Sequence, residues 1–404
     1  MSITNILCLG YLLRGSRAFP EGIFDLIREP ILQACGIQMG EPPEAAHDAW
    51  PGFDIARFRQ LAGAKDEDTL ETIWQQTFYR MPDEALDYLR QHIPTDSLIL
   101  CFEIAPWLES ALKQWSVRFI DIRVSPLRFG RDLYIAMRSN DSTLDNRIAQ
   151  YRIADEELRL EATYLAANVR MHQQRLNESS RVQPVLDGCA VFIGQAPFDA
   201  SLIREDGSIV SFADYANEVK ALAQGRRLLY KPHPFALEHA AEEQQLLSDL
   251  TRQAVSSCQL NAYQIVSSKA KIELVGLSSG LLQEATWFNK NVHVLFRPFT
   301  PISTDTNPCI GFTQVHFHRW LSPGFWHQIL APQAPSPRIQ EVTPLAHHHA
   351  RHTIDQWWDY LKVLSWEKAY AYESFERGGG GALRQRITAL EAAMAELLTI
   401  NTKN

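Results

Sequence analysis

The sequence is short of the features that mark several whole classes of protein. None of its 404 residues lies in a run of the 18 or so apolar positions that a membrane-crossing helix requires. Positive charge is in deficit, with 39 Lys and Arg against 47 Asp and Glu for a net charge of -8, so general electrostatic attraction to nucleic acid is absent. The six cysteines, Cys8, Cys35, Cys101, Cys189, Cys258 and Cys309, include no C-x-x-C pair and lie mostly in apolar segments. They read as buried thiols in a reducing compartment, not as a disulfide scaffold. With 20 Gly and 21 Pro, collagen-like and low-complexity classes are excluded. The apolar run in MSITNILCLGYLLRG has no basic residue before it, which argues against a secretory leader. The expectation is a cytoplasmic protein, with peripheral contact at the inner face of the inner membrane compatible with it.

What is present is a globular composition, 46% hydrophobic and 21% charged. At roughly 100 to 200 residues per domain this length predicts two cores. Ile3 to Leu9 reads as a buried strand followed by a helix over 22–35, and the same alternation continues. Helical spacing over 68–91, broken at Pro82, precedes strand-length runs at 97–102 and 117–124 with a helix at 107–115 between them. A long charged helix is expected over 142–176, which holds no Pro or Gly. A second series follows: strands at 189–194, 227–230, 272–276 and 292–296 alternate with helices at 212–223, 237–250 and 281–287. This grammar predicts an α/β fold of two Rossmann-like domains, 1–184 and 185–350, facing a central cleft. Aromatic-rich 351–377 reads as a helical segment crossing back to the first domain. Gly378 to Gly381 and the helix after it, 378–404, read as a linker and the start of a coiled coil or of a longer protein, or equally as a helix folded back on the body.

Three stretches carry candidate chemistry. In RRLLYKPHPFALEH a strand ends at Lys231, and two prolines fix the turn that carries His233 beside a helix N-terminus, a combination suited to phosphate. In IELVGLSSGLLQEATWF the turn Ser278, Ser279, Gly280 opens a helix where hydroxyls and amides converge, and Glu284 stands where a carboxylate could accept from ribose hydroxyls. In VFIGQAPFDASLIREDG, Gln195 and Asp199 follow a strand at the same sheet edge. Each has a plainer reading: a helix cap for either serine, a surface residue for Glu284, a turn residue for Asp199 or His233.

Taken together, GQ-x-x-x-D-A-S, Y-K-P-H-P, S-S-x-x-x-x-E-A and Arg297-Pro298-Phe299 resemble the bacterial β-Kdo transferases that build capsule linkers and O-antigen termini. FEIAPWLESALKQWSVRFIDIRVSPLRFGRDL is similar to the same group, so the resemblance spans roughly residues 98 to 300; the KPHP and SS pairing is shared with bacterial sialyltransferases. The resemblance implies a GT-B type two-domain form, an N-terminal acceptor domain, a C-terminal domain binding CMP-β-Kdo, and no cofactor. It implies retention of configuration by double displacement with Asp199 as the nucleophile. Lys231, His233, Ser278 and Ser279 would then meet the CMP phosphate, and Arg128 or Arg131 the Kdo carboxylate. Glu103 is the first choice as base for the acceptor hydroxyl and Asp121 the second, while Glu103 also fits a plain helix-start carboxylate before Pro106. The implied partners are the CMP-sugar, a lipid-linked glycan acceptor and other polysaccharide-assembly domains or proteins. A transferase for CMP-sialic acid or another nonulosonic acid and an inactive glycan-binding module are the alternatives. No metal is expected: the tract of His347, His348, His349 and His352 lacks carboxylate or Cys support, and His316 and His318 alternate on one face of an expected strand and read as packing or surface residues.

Overall fold

The computed structural model describes residues 3–9, 12–13, 18–40, 52–65, 69–94, 96–177, 186–197, 199–234, 236–307 and 311–343. The segments expected at 351–377 and 378–404 and the histidine tract at 347–352 lie outside the described residues.

The first half runs β1 (Asn5–Leu9), α1 (Ala18–Cys35), β2 (Met39–Gly40), α2 (Ile55–Leu61), α3 (Leu70–Thr77), α4 (Asp83–Gln91), β3 (Ser97–Phe102), α5 (Pro106–Gln114), β4 (Arg118–Val124), β5 (Tyr134–Ser139), α6 (Ser142–Ala149) and α7 (Asp155–Asn177). The second runs β6 (Cys189–Ile193), α8 (Ala216–Ala223), β7 (Arg227–Lys231), α9 (Ala240–Thr251), β8 (Val255–Ser257), α10 (Ala262–Ser267), β9 (Glu273–Gly276), α11 (Gly280–Trp287) and β10 (Asn291–Val294). Then follow β11 (Thr313–His316), α12 (Phe317–Trp320) and α13 (Pro323–Leu330). Two sheets result, ordered β11-β5-β4-β3-β1-β2 and β10-β9-β6-β7-β8. All pairings in the second are parallel, as are those among β1 to β4. The chain is thus a mixed α/β protein of two Rossmann-like units. The central strands β3 and β6 are buried at every position, as parallel strands covered on both faces must be.

Two expectations are corrected. The second unit does not extend to residue 350: β11 pairs antiparallel with β5 of the first sheet, with Val315 opposite Ile135. Val315, Phe317, Trp320, Phe325, Trp326 and Ile329 then join Ile23, Phe24, Ile27 and Ile31 of α1 in one core. Each large side chain so buried contributes about 1.5–3 kcal/mol, which draws the chain back to the first unit well before residue 351. Gly311 makes the return turn at φ +92°, where a Cβ would lie 2.3 Å from the Pro301 carbonyl oxygen.

The single helix expected over 142–176 is instead α6 and α7. Between them the Ile153 amide donates to the Gln314 carbonyl at 3.0 Å, and Arg152 pairs with Asp155 at 3.2 Å and with Asp305. Gln314 and Asp305 lie more than 150 positions away, so helical propensity yields to tertiary contact.

Candidate functional site

The C-terminal ends of β6, β7 and β9 lie side by side, because β6 is flanked by the other two. After β6 the chain passes through Gly194, where a Cβ would lie 2.3 Å from the Tyr230 hydroxyl, so only glycine fits. Gln195 follows, buried, and its carboxamide joins two turns: Oε1 accepts from the Ser278 amide at 3.2 Å, and Nε2 donates to the Ser201 hydroxyl. The expected ligand-binding Gln195 is in this structure a brace that sets the Ser278 turn against the Asp199 turn. Asp199 begins a short 3-10 turn, its Oδ1 accepting the Ser201 amide at 2.8 Å while the side chain stays partly exposed. It caps, as the plainer reading allowed, and it faces other site groups as well.

Those groups meet at His233. Burial pushes its imidazole below the usual range, the Asp199 carboxylate opposes, and the Arg128 and Lys231 cations push further down. Four residues singled out in sequence, Lys231 and His233 at the end of β7, Asp199 in the loop after β6 and Arg128 of the first unit, are therefore near enough to act on one another electrostatically. The ring is neutral at pH 7. Lys231 is half-buried and its ammonium is held below the usual lysine range by desolvation, opposed by the nearby Cys258 thiol. Ser278 is buried with a hydroxyl that makes no hydrogen bond, and Ser279 starts α11 without a side-chain cap. Uncapped helix amides and an uncommitted hydroxyl after β9, and a desolvated cation at the end of β7, are groups suited to an anion.

The first unit reaches this edge through the loop after β4. A Cβ on Gly280 would lie 3.3 Å from that of Pro126, so the start of α11 abuts this loop. The Arg128 amide donates to the buried Glu284 carboxylate, which also accepts the Tyr263 hydroxyl at 2.7 and 2.9 Å. Glu284 thus ties the two units together, where sequence had given it to a ribose. Arg131 points elsewhere: its guanidinium pairs with Glu161 of α7 at 2.6 Å and lies over Tyr164. Of the two arginines proposed for a sugar carboxylate, the structure brings only Arg128 to His233.

Glu103 leaves β3 with φ 52°, a left-handed conformation that costs a non-glycine residue about 1–2 kcal/mol. Its amide donates to the Ile122 carbonyl at 2.9 Å and the next amide, of Ile104, donates to Asp121 at 3.0 Å, which fixes the bend. Glu103 lines a hollow of about 360 Å³, counting space open to solvent, with Leu13, Trp74 and Trp107. Ala200 and Ile203, either side of the Asp199 turn, pack on the same apolar cluster. Asp121, the second choice as base, has no access to substrate: it is fully buried, pairs with Arg123 at 2.9 Å and holds the backbone beside Glu103.

Sequence reasoning missed what locks the seam. Arg123 lies between the rings of Phe299 and Phe312, 4.6 and 4.5 Å from their centroids, and donates to the Phe299 carbonyl at 2.9 Å. Arg297 joins the Tyr79 hydroxyl to the Ile203 carbonyl, the latter at 2.9 Å. The available signal was alternation: Asp121 and Arg123 share one face of a strand that is otherwise apolar after its first residue, Arg118, which is how a buried pair reads. Also missed is the meeting of Asp132, His316 and His318, whose ligand atoms lie within 4.8 Å of one another.

The chain is by fold and site a two-unit Rossmann-like protein with a polar cleft edge on its second sheet. No family model matches it, and no curated protein matches it by sequence. Among solved structures it is similar to KpsC of Thermosulfurimonas dismutans, a β-Kdo 2,7 transferase, at 18% identity and a TM-score of 0.33, over 54% of this chain and 70% of that one. No helix among the described residues is long and apolar enough to cross a membrane.

Proposed function

We propose that this protein is a retaining glycosyltransferase that moves Kdo from CMP-β-Kdo to a lipid-linked polysaccharide acceptor, as in capsule or O-antigen synthesis. The observation that carries the reading is the coupling of His233 to Asp199, Arg128 and Lys231 beside the open Ser278–Gly280 turn. An Asp199 oxygen attacks the anomeric carbon as the bond to the CMP phosphate breaks, and CMP leaves with the electron pair. Lys231, the Ser278 hydroxyl and the first amides of α11 receive the phosphate charge, and His233 donates as a neutral N–H. Arg128 holds the carboxylate of the sugar. The acceptor hydroxyl then attacks the same carbon, its proton passes to Glu103, and the bond to Asp199 breaks.

The test is CMP release from CMP-Kdo and, separately, from CMP-sialic acid, each with a lipid-linked glycan acceptor. Faster release from CMP-Kdo with a Kdo-extended product is expected. Preference for CMP-sialic acid selects the nonulosonic alternative, and no turnover of either nucleotide sugar selects a glycan-binding module.

A further inference from the structure

A second polar cluster lies outside the cleft edge, where the crossing segment returns to the first sheet. Asp132 precedes β5, His316 ends β11, His318 sits in α12, and Glu157 belongs to the first turn of α7. Glu157 Oε1 stands 2.9 Å from His316 Nε2. A carboxylate only accepts, so Nε2 carries a proton. The buried Nδ1 faces Asp132 Oδ2 at 3.4 Å. His316 thus stands between two carboxylates. His318 Nδ1 approaches the same Oδ2 at 2.7 Å, and one ligand atom from each of the three residues lies within 4.8 Å of the others.

We propose that Asp132, His316 and His318 form a binding site for a divalent cation of the Zn²⁺ or Co²⁺ type. Two imidazoles and one carboxylate are the donors such borderline ions prefer. Ligands about 2.0–2.1 Å from a tetrahedral ion stand about 3.4 Å apart, the separation already present between His316 and Asp132. His318 Nδ1 meets Asp132 in the empty site, and on binding Nδ1 gives its lone pair to the ion while the ring carries its proton on Nε2. Glu157 fixes the His316 ring from behind, the outer carboxylate that metal-bound histidines commonly have. The ion would fasten the crossing segment to the loop that also carries Arg128.

The test is Co²⁺ titration of the full chain, followed by visible absorption. One Co²⁺ per chain is expected. His316→Gln with His318→Gln should weaken binding at least about 100-fold, and replacing His347, His348, His349 and His352 by Ala should leave it unchanged. Equal binding by the His316/His318 variant, or loss of binding on replacing the four tract histidines, overturns the proposal. If the double variant does not fold, X-ray absorption of the Zn²⁺-loaded tract variant decides: two imidazoles in the inner shell support the site, and an all-oxygen shell contradicts it.

Discussion

The two sheet edges that meet at the seam hold their charged groups in opposite ways. In the first unit Asp121 is fully buried and closed by Arg123, Arg138 and the Ile104 amide, and Arg131 is closed by Glu161. In the second unit Asp199 stays partly exposed and Lys231 is desolvated, and among the described residues Lys231 has no ion pair and the Ser278 hydroxyl no hydrogen bond. Paired groups hold a fold in place, whereas desolvated and uncommitted ones store a demand for a ligand. Under the proposed function the comparison puts the anion at the second unit, and leaves the first unit an apolar hollow that Glu103 helps to line.

The sharpest way to break this contrast is Asp121→Ala. It strands the buried Arg123 guanidinium and should cost about 3–5 kcal/mol in urea unfolding, with unfolding at moderate temperature as the extreme outcome. Lys231→Met should do the reverse, reducing CMP-sugar turnover roughly 100-fold while leaving unfolding unchanged or more difficult, since a desolvated cation is removed. Tyr263→Phe withdraws one donor from the buried Glu284 carboxylate and should cost about 1–3 kcal/mol. Arg131→Ala breaks a pair whose arginine is 56% exposed, so a change below about 1 kcal/mol and unchanged turnover are expected.

His233 gives a pH dependence with a definite sign. Its folded value lies below its unfolded value near 6.5, so the unfolded chain binds the extra proton between the two. Stability is complete above about pH 6.5 and falls as pH drops through the window below it. Urea midpoints from pH 7 to 5 should show this decline in the wild type and a shallower one in His233→Gln.

Much of the second unit's edge was legible in sequence because its information is local. Lys231, His233 and Ser278 follow strands that end in Pro or Gly turns, and adjacency of β6, β7 and β9 follows from parallel topology. Glu284 and Gln195 were found and given other roles, because which group a buried carboxylate or amide meets depends on contacts 83 and 156 positions apart. The pairing of β11 escaped notice for the same reason. A strand was expected around His316 and His318, but it ends at His316, and its partner β5 lies more than 170 positions earlier. The helix break before Asp155 is set by that returning segment too, so one distant pairing accounts for both misses.

The most direct test of the central claim is the intact mass of the protein after incubation with CMP-Kdo and no acceptor. The account predicts a gain of one Kdo unit, mapped to Asp199 and absent in Asp199→Ala, whose unfolding should shift by no more than about 1–2 kcal/mol for the lost cap. Full transfer by Asp199→Ala, or a Kdo adduct on another residue, would contradict it.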